Sequence, residues 1–551
     1  MTAVTDAPTV AGRGRGGGGS TLTGTGTLVR VMLRRDRIRI PVWLFALTLG
    51  TVGTASNLVT TYDTPAGRQS RADLVDSPAG IAFSGPGHGL DDYTYGAMLA
   101  NEILGFVAIF VALMSVLLFT RHTRTEEEAG RAELVRAGVV GRHAPLTAAL
   151  IVVGGANVAL GPLMTLFLGG SGIESITWKS SLLFGASLTA VGLVFTAVAA
   201  LTAQVTEYGR GAAGMAGAAI GVAYMLRAAG DMTAGALSWL SPIGWAQVTK
   251  VYVDDRWWPL LLAPAVTVIL LAAAFVVTGR RDVGAGLMSS RSGPRTAEGF
   301  LGTALGSALR LHRANLFWWA VSMAVLGGSY GAFAGDVEEA IGDNEAMREW
   351  VATLPGGDLT ERFLSVIVMM MATVVGVYVV LGLLKPRTEE TSGRAEPLLA
   401  TALSRTRWLA CHLAVVLGGS VVVLLLTGVV TGFVASFTVD DPGLTVRMAG
   451  AALLYAPATW VVAGVVIALF GLAPRAIGLA GSVVVYAVVV TTFGGLLRFP
   501  DWMNDLSPFG HVPRLPGDEP SWAPLLILTA ISAVLIAAGL AGFHRRDLTV
   551  R

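Results

Sequence analysis

Twelve predominantly apolar stretches, each roughly 20 residues long, run through this chain, and that is the length a helix needs to cross about 30 Å of hydrocarbon. They lie near 40–59, 98–120, 145–169, 180–204, 212–229 and 259–278, then near 316–335, 363–384, 408–436, 448–471, 476–497 and 523–543. Only 14% of residues are charged, against about 25% in soluble domains, and mean hydropathy is +0.64. Backbone groups in lipid must be bonded within their own segment, so the expected fold is all-α and integral to the membrane, with twelve transmembrane helices.

The chain also repeats itself. Arg124–Glu133 reads RTEEEAGRAE and Arg387–Glu396 reads RTEETSGRAE, about 263 positions later. Ser241-Pro242-Ile243-Gly244 returns as Ser507-Pro508-Phe509-Gly510, and Gly279-Arg280-Arg281-Asp282 returns as His544-Arg545-Arg546-Asp547. A nearly constant offset marks duplication. Six spans per half is an even number, so both halves enter the membrane in the same direction and form parallel six-helix repeats. The predicted organisation is a flexible cytosolic tail over residues 1–27, a first half over 28–290 and a second over 291–551. The tail is polar and Gly-rich, and the first apolar run starts only near Ile38, later than a cleaved signal peptide would place it.

Arginine and lysine set the orientation, because they are retained on the cytoplasmic side. With both termini inside, about 28 of the 39 basic residues fall on that side. The outer loops carry acids instead, notably Asp336, Glu338, Glu339, Asp343, Glu345 and Glu349 after span seven. Both RTEE stretches then face the cytosol. In the first, Thr125 followed by Glu128 fits a capping box, and acids suit the positive end of a helix dipole. The spacing predicts one short helix over Glu126–Ala137, with Leu134 and Val135 as an apolar patch and Glu127, Glu128 and Arg131 open to charged partners. In the second copy Thr391 replaces Glu128 and Pro397 intrudes, so that helix starts or kinks there. A solvated loop is the simpler reading of one copy; two copies at equivalent places point to docking of a partner with two equivalent surfaces.

Leu28–Ile40, which mixes Val29, Val31, Met32 and Leu33 with five arginines, and Phe300–Arg313 both read as amphipathic helices at the inner interface, or as ordinary positive flanks. On the outside, Leu237–Pro259 (Trp239, Pro242, Trp245, Trp257, Trp258) and Phe499–Trp522 (Trp502, Pro508) read as short helices capped at Ser241 and Ser507, with proline at the first helical position. Their tryptophans suit headgroup depth, as an aromatic belt would.

Several chemistries are excluded. A formal charge of +2 gives no basic excess for nucleic acid. The single Cys411 excludes a disulfide framework or cysteine metal site, and the histidines His122, His143, His412 and His544 are scattered, so neither a metal centre nor a catalytic constellation is legible. None of the three lysines (Lys179, Lys250, Lys385) sits in a GxxxxGK[ST] phosphate loop, so the chain is not expected to hydrolyse ATP or to bind a cofactor itself. Glu102 is the one acid placed within a span, paired locally or facing headgroups rather than relaying protons. Asn157 reads as glue between helices.

These residues together resemble ABC-2-type export permeases, and the fused twelve-span form with its two RTEE stretches resembles actinobacterial exporters of polyketide antibiotics, the tetronasin-type and multidrug permeases. The likeness spans residues 28 to 548. It implies a pseudo-dimeric permease in a bacterial plasma membrane, paired with two copies of a separately encoded ATPase that bind the ATP and Mg. It further implies coupling helices formed by Glu126, Glu127, Glu128, Arg131 and Glu133, and by Glu389, Glu390, Arg394 and Glu396. Spans one, two and five of each half would line the exit path, gated by outer helices carrying Trp239, Pro242, Trp245, Trp502 and Pro508. Substrates would be lipophilic or amphipathic small molecules. A twelve-span secondary carrier, which calls for membrane-embedded carboxylates, and a non-transporting scaffold or sensor are the competing readings.

Overall fold

The computed structural model describes residues 20–233, 235–280, 286–287, 296, 299–335, 337, 359–493, 501–515 and 521–546. Most of the polar tail and the acids Asp336, Glu338, Glu339, Asp343, Glu345 and Glu349 lie outside them. Among the described residues the secondary structure is helical, and ten segments are long and apolar enough to cross a membrane. The predicted seventh run lies in α14 (Ala304–Ala332), a long helix whose apolar character is diluted by Asn315, Trp318, Trp319 and the Gly327-Gly328 pair. The eleventh appears as the shorter helix Ala480–Phe493, followed by residues outside the description.

The chain divides into two compact units, Met1–Ser292 and Gly293–Arg551. In the first, α1 (Thr25–Arg35) and α2 (Arg39–Thr61) meet at Asp36. After α3 (Pro65–Asp76) and α4 (Pro78–Ser84) come α5 (Tyr95–Glu102) and α6 (Leu104–His122), then the short α7 (Arg124–Glu128) and α8 (Arg131–Arg136). Four helices complete the unit with a short one among them: α9 (Ala144–Gly169), α10 (Trp178–Val205), α11 (Gly209–Asp231), α12 (Pro242–Val248) and α13 (Leu262–Arg280). Helix α10 is the hub, packing on α6, α9, α11 and α13.

Lipid is as apolar as leucine, so helices in it associate through close packing and polar contacts. Asn157 of α9 supplies both. It is fully buried and donates to Ser115 Oγ of α6 at 2.9 Å and Thr196 Oγ1 of α10 at 3.3 Å, as its isolation in an apolar span suggests. Nearby, a side chain on Gly185 would sit 2.3 Å from the Gly161 carbonyl oxygen, so the absence of one lets α9 and α10 touch.

The second unit uses the same device. Helix α14 packs on Arg405–Val439, where Gly327 and Gly331 face Thr427 and Thr431. Helix Ala456–Leu472 packs on Trp522–Arg545 through Gly471 and Gly539.

The two segments read as amphipathic interfacial helices fold differently from one another. The first is a separate helix, α1, ended at Asp36, which is wholly buried against Arg121 (3.2 Å) and His122 (2.7 Å). The second runs unbroken through α14 from an N-cap at Thr303, whose hydroxyl accepts from Gly306 N, and in place of a charged turn it buries His312 against His412 at 3.1 Å.

Candidate functional site

Each RTEE stretch folds into a tight, internally bonded turn at the arginine-rich end of its unit. In the first copy α7 ends at Glu128, the chain reverses through Ala129 and Gly130, and α8 starts at Arg131. Gly130 adopts φ +70°, a left-handed conformation that glycine enters without the steric penalty of a Cβ. That reversal brings Arg131 back onto Glu126, whose carboxylate takes Nε at 2.7 Å and Nη2 at 3.0 Å in a two-pronged pair. Glu126 also accepts from Arg35 of α1. Arg124, wholly buried, donates to the Ala203 carbonyl of α10 and to Glu127 at 2.8 Å. Glu128 accepts from the Gly209 amide at 3.1 Å, placing a negative charge at the start of α11, where the helix dipole favours it.

This overturns the single helix expected over Glu126–Ala137. The capping box does not form, because α7 begins two residues early: its N-cap is Thr123, and Thr125 lies inside, its hydroxyl turned to the Thr120 carbonyl. Of the three residues expected to be open to charged partners, Glu127 is largely buried against Arg124, whereas Glu128 and Arg131 stay exposed while each also bonds within the chain. Leu134 is 78% exposed, while the Val135 side chain lies outside the described set. Glu133 is exposed.

In the second copy the stretch is the end of the span helix, α15 (Leu359–Thr391), followed by Gly393 at φ +74° and by Glu396–Leu399 with Pro397 in its first turn. Arg394 grips Glu389 at 2.8 and 2.9 Å, and Arg387 pairs with Glu390 at 3.0 Å. The copies diverge at the next acid: Glu390 is 1% exposed and held at 2.8 Å by both arms of Arg546, which also lies over Phe470 and Phe543. Glu396 is exposed.

At the other end of the first unit, Ser241 caps α12, accepting from Gly244 N at 3.3 Å with Pro242 next in line. Ser507 caps the turn Pro508–His511 without a side-chain bond. Trp239 stacks on Trp258 at 5.2 Å and Trp502 is 63% exposed, as headgroup-depth residues would be. Trp245 departs from that reading: it is buried, and its Nε1 donates to the Trp239 carbonyl at 2.6 Å. Glu102 pairs with Arg71 at 2.6 Å and accepts from Tyr93 at 3.2 Å, a local pair as expected.

A second polar hub at this end went unread in the sequence. Arg227 is 1% exposed, donates to Phe83 O at 3.1 Å, approaches Asp231 at 3.5 Å and lies over the Tyr224 ring. Tyr224 reaches the same Phe83 carbonyl at 2.8 Å, and Ser238 donates to Asp231 at 2.6 Å. The hub ties α11 to α4 and to the turn Leu237–Leu240. Arg and Asp four residues apart at the end of an apolar run were the available signal.

The family profile described as "Multidrug efflux system permease Rv1217c, C-terminal domain" matches residues 29–278 and 301–544. The multidrug efflux system permease protein Rv1217c of Mycobacterium tuberculosis (strain ATCC 25618 / H37Rv) is 39% identical over 528 residues, covering 94% of each chain. The chain belongs to this family of multidrug efflux permeases and is a multi-pass membrane protein.

Proposed function

We propose that this permease is the membrane subunit of an ATP-binding-cassette exporter that moves lipophilic or amphipathic compounds, antibiotics and drugs among them, out of the cell. On this reading it has the ABC-2-type, tetronasin-like architecture: twelve spans in two parallel halves, both termini cytoplasmic, in a bacterial plasma membrane. Two copies of a separate ATPase supply ATP, Mg and hydrolysis, and the permease itself catalyses nothing.

The observation that carries the proposal is the pair of RTEE turns. Both copies build the same arginine–glutamate staple across a left-handed glycine, at the end of the second span of each half. A rigid charged turn fixed to a span can pass a push from a partner to that span, provided the partner's two states contact it differently. With Glu126, Glu127, Glu389 and Glu390 occupied inside the chain, the staples hold the shape, and the exposed Glu128, Glu133 and Glu396 with the outer arms of Arg131 and Arg394 make the contact. Trp239, Pro242, Trp245, Trp502 and Pro508 belong to the outer gate, braced in the first half by Arg227.

The test is gentle purification from native membrane, with the ratio of any ATP-binding chain quantified. Two ATPase copies per permease, with turnover stimulated by lipophilic compounds, is the expected result. A lone chain that moves substrate on an ion gradient overturns it.

A further inference from the structure

Beneath the first RTEE turn lies a cavity of about 130 Å³, lined in part by the staple residues Glu126 and Arg131. It is bounded by α1, by α7 and α8, by the start of α9 and by the ends of α10 and α13. Leu28 and Met32 line it from α1, Pro145 and Leu146 from α9. Three arginines, Arg35, Arg131 and Arg142, stand around it with Glu126 and Glu127. The balance is positive, because Glu127 is already held by a further arginine, Arg124. Gln204 lines the cavity from α10 and is 4% exposed, and its Oε1 has no hydrogen-bond partner. A buried acceptor left unbonded is costly, so a ligand that donates there, or brings a water, is favoured.

We propose that this cavity is a binding site for an anionic amphiphile, its acid group on the Arg35, Arg131 and Arg142 side and its apolar part between Met32 and Leu146. The volume is close to the ~150 Å³ of a cavity that takes one benzene ring, so it admits one ring or a short piece of alkyl chain while the rest of the molecule lies along α1. Val31 of α1, which lines the cavity and is 55% exposed, continues that apolar track. Both an acidic membrane lipid and a free lipophilic acid have this chemistry. Binding also has a mechanical consequence. Arg35 and Arg131 share one acid, Glu126, so an arriving anion competes with Glu126 and loosens α1 from the turn. Binding itself needs no ATPase and stands apart from the exporter reading.

The experiment uses the full chain in phosphatidylcholine nanodiscs with a diazirine-bearing stearic acid, crosslinked by light and mapped by peptide mass. Adducts are expected to concentrate within residues 28–35 and 142–146, and the methyl ester of the probe should label them far less. Arg35→Gln combined with Arg142→Gln should cut labelling there about tenfold. Met32→Trp, which fills the cavity and keeps the charges, should do the same. Competition by phosphatidylglycerol in the disc identifies a lipid as the ligand, and competition by oleate alone identifies a free acid. Equal labelling by acid and ester on the native chain, or even labelling of every lipid-facing helix, overturns the proposal whether or not a variant folds.

Discussion

Glu126 and Arg131 face each other across a glycine turn and are joined by two hydrogen bonds of 2.7 and 3.0 Å. The pair depends on the backbone as much as on charge. Glu389 and Arg394 repeat it across Gly393, so the spacing E-x-x-x-G-R is the signature of a folded staple, five residues from acid to base.

Gly130→Ala tests that dependence. Nothing lies within 4 Å of the position a Cβ would take, so the cost is conformational alone, about 1–2 kcal/mol. The expected outcome is a local loosening of residues 124–136, read as faster amide exchange there with α9 and α10 unchanged. Unaltered exchange would show that the turn does not hold the staple.

Glu390→Gln should destabilise the second unit by about 1–3 kcal/mol, since it removes the buried acid on which two partly exposed arginines, Arg387 and Arg546, converge. Glu127→Gln, at a carboxylate 15% exposed, should cost clearly less. Denaturation of the detergent-solubilised chain compares them, and equal losses would contradict the asymmetry between the copies.

Gly471→Ala and Gly155→Ala make a contrasting pair. A methyl at Gly471 would stand 1.9 Å from the Gly539 carbonyl oxygen, whereas nothing lies within 4 Å at Gly155. The first should force two helices apart and lower thermal stability sharply, while the second should be neutral or slightly stabilising. Similar melting temperatures for both would count against the Gly471–Gly539 contact.

His88 lies in the loop between α4 and α5, and burial, aided by Lys250, pushes its imidazole down to about 4. An unfolded chain takes up that proton near pH 6.5 and the folded chain only near pH 4, so the stability from neutral His88 is intact above about 6.5 and is lost as pH falls toward 4. His88→Gln should flatten the dependence of melting temperature on pH across that window. A wild-type-like slope would assign the pH response to another group.

Much of the fold was readable from local sequence. Apolar run length gave ten of the twelve expected spans, Asn157 alone in its span gave an interhelical bond, and Ser241-Pro242 gave a capped helix. The RTEE repeat located both turns but misled about their form, because a capping box was read at Thr125 where the end of α6 had already placed the N-cap at Thr123. Trp245 looked like a headgroup tryptophan, since composition does not tell which face of a seven-residue helix packs inward.

The sequence by itself determined that this is a helical membrane protein with a repeated charged element, because hydrophobic length and repetition are properties of neighbouring residues. Only the tertiary structure decided what the charges do. Glu390 and Arg546 lie 156 positions apart and Arg35 and Glu126 lie 91 apart. No periodicity predicts such partners; they meet because the helices between them pack in one arrangement, which brings their ends together and buries the acid that finds the most donors.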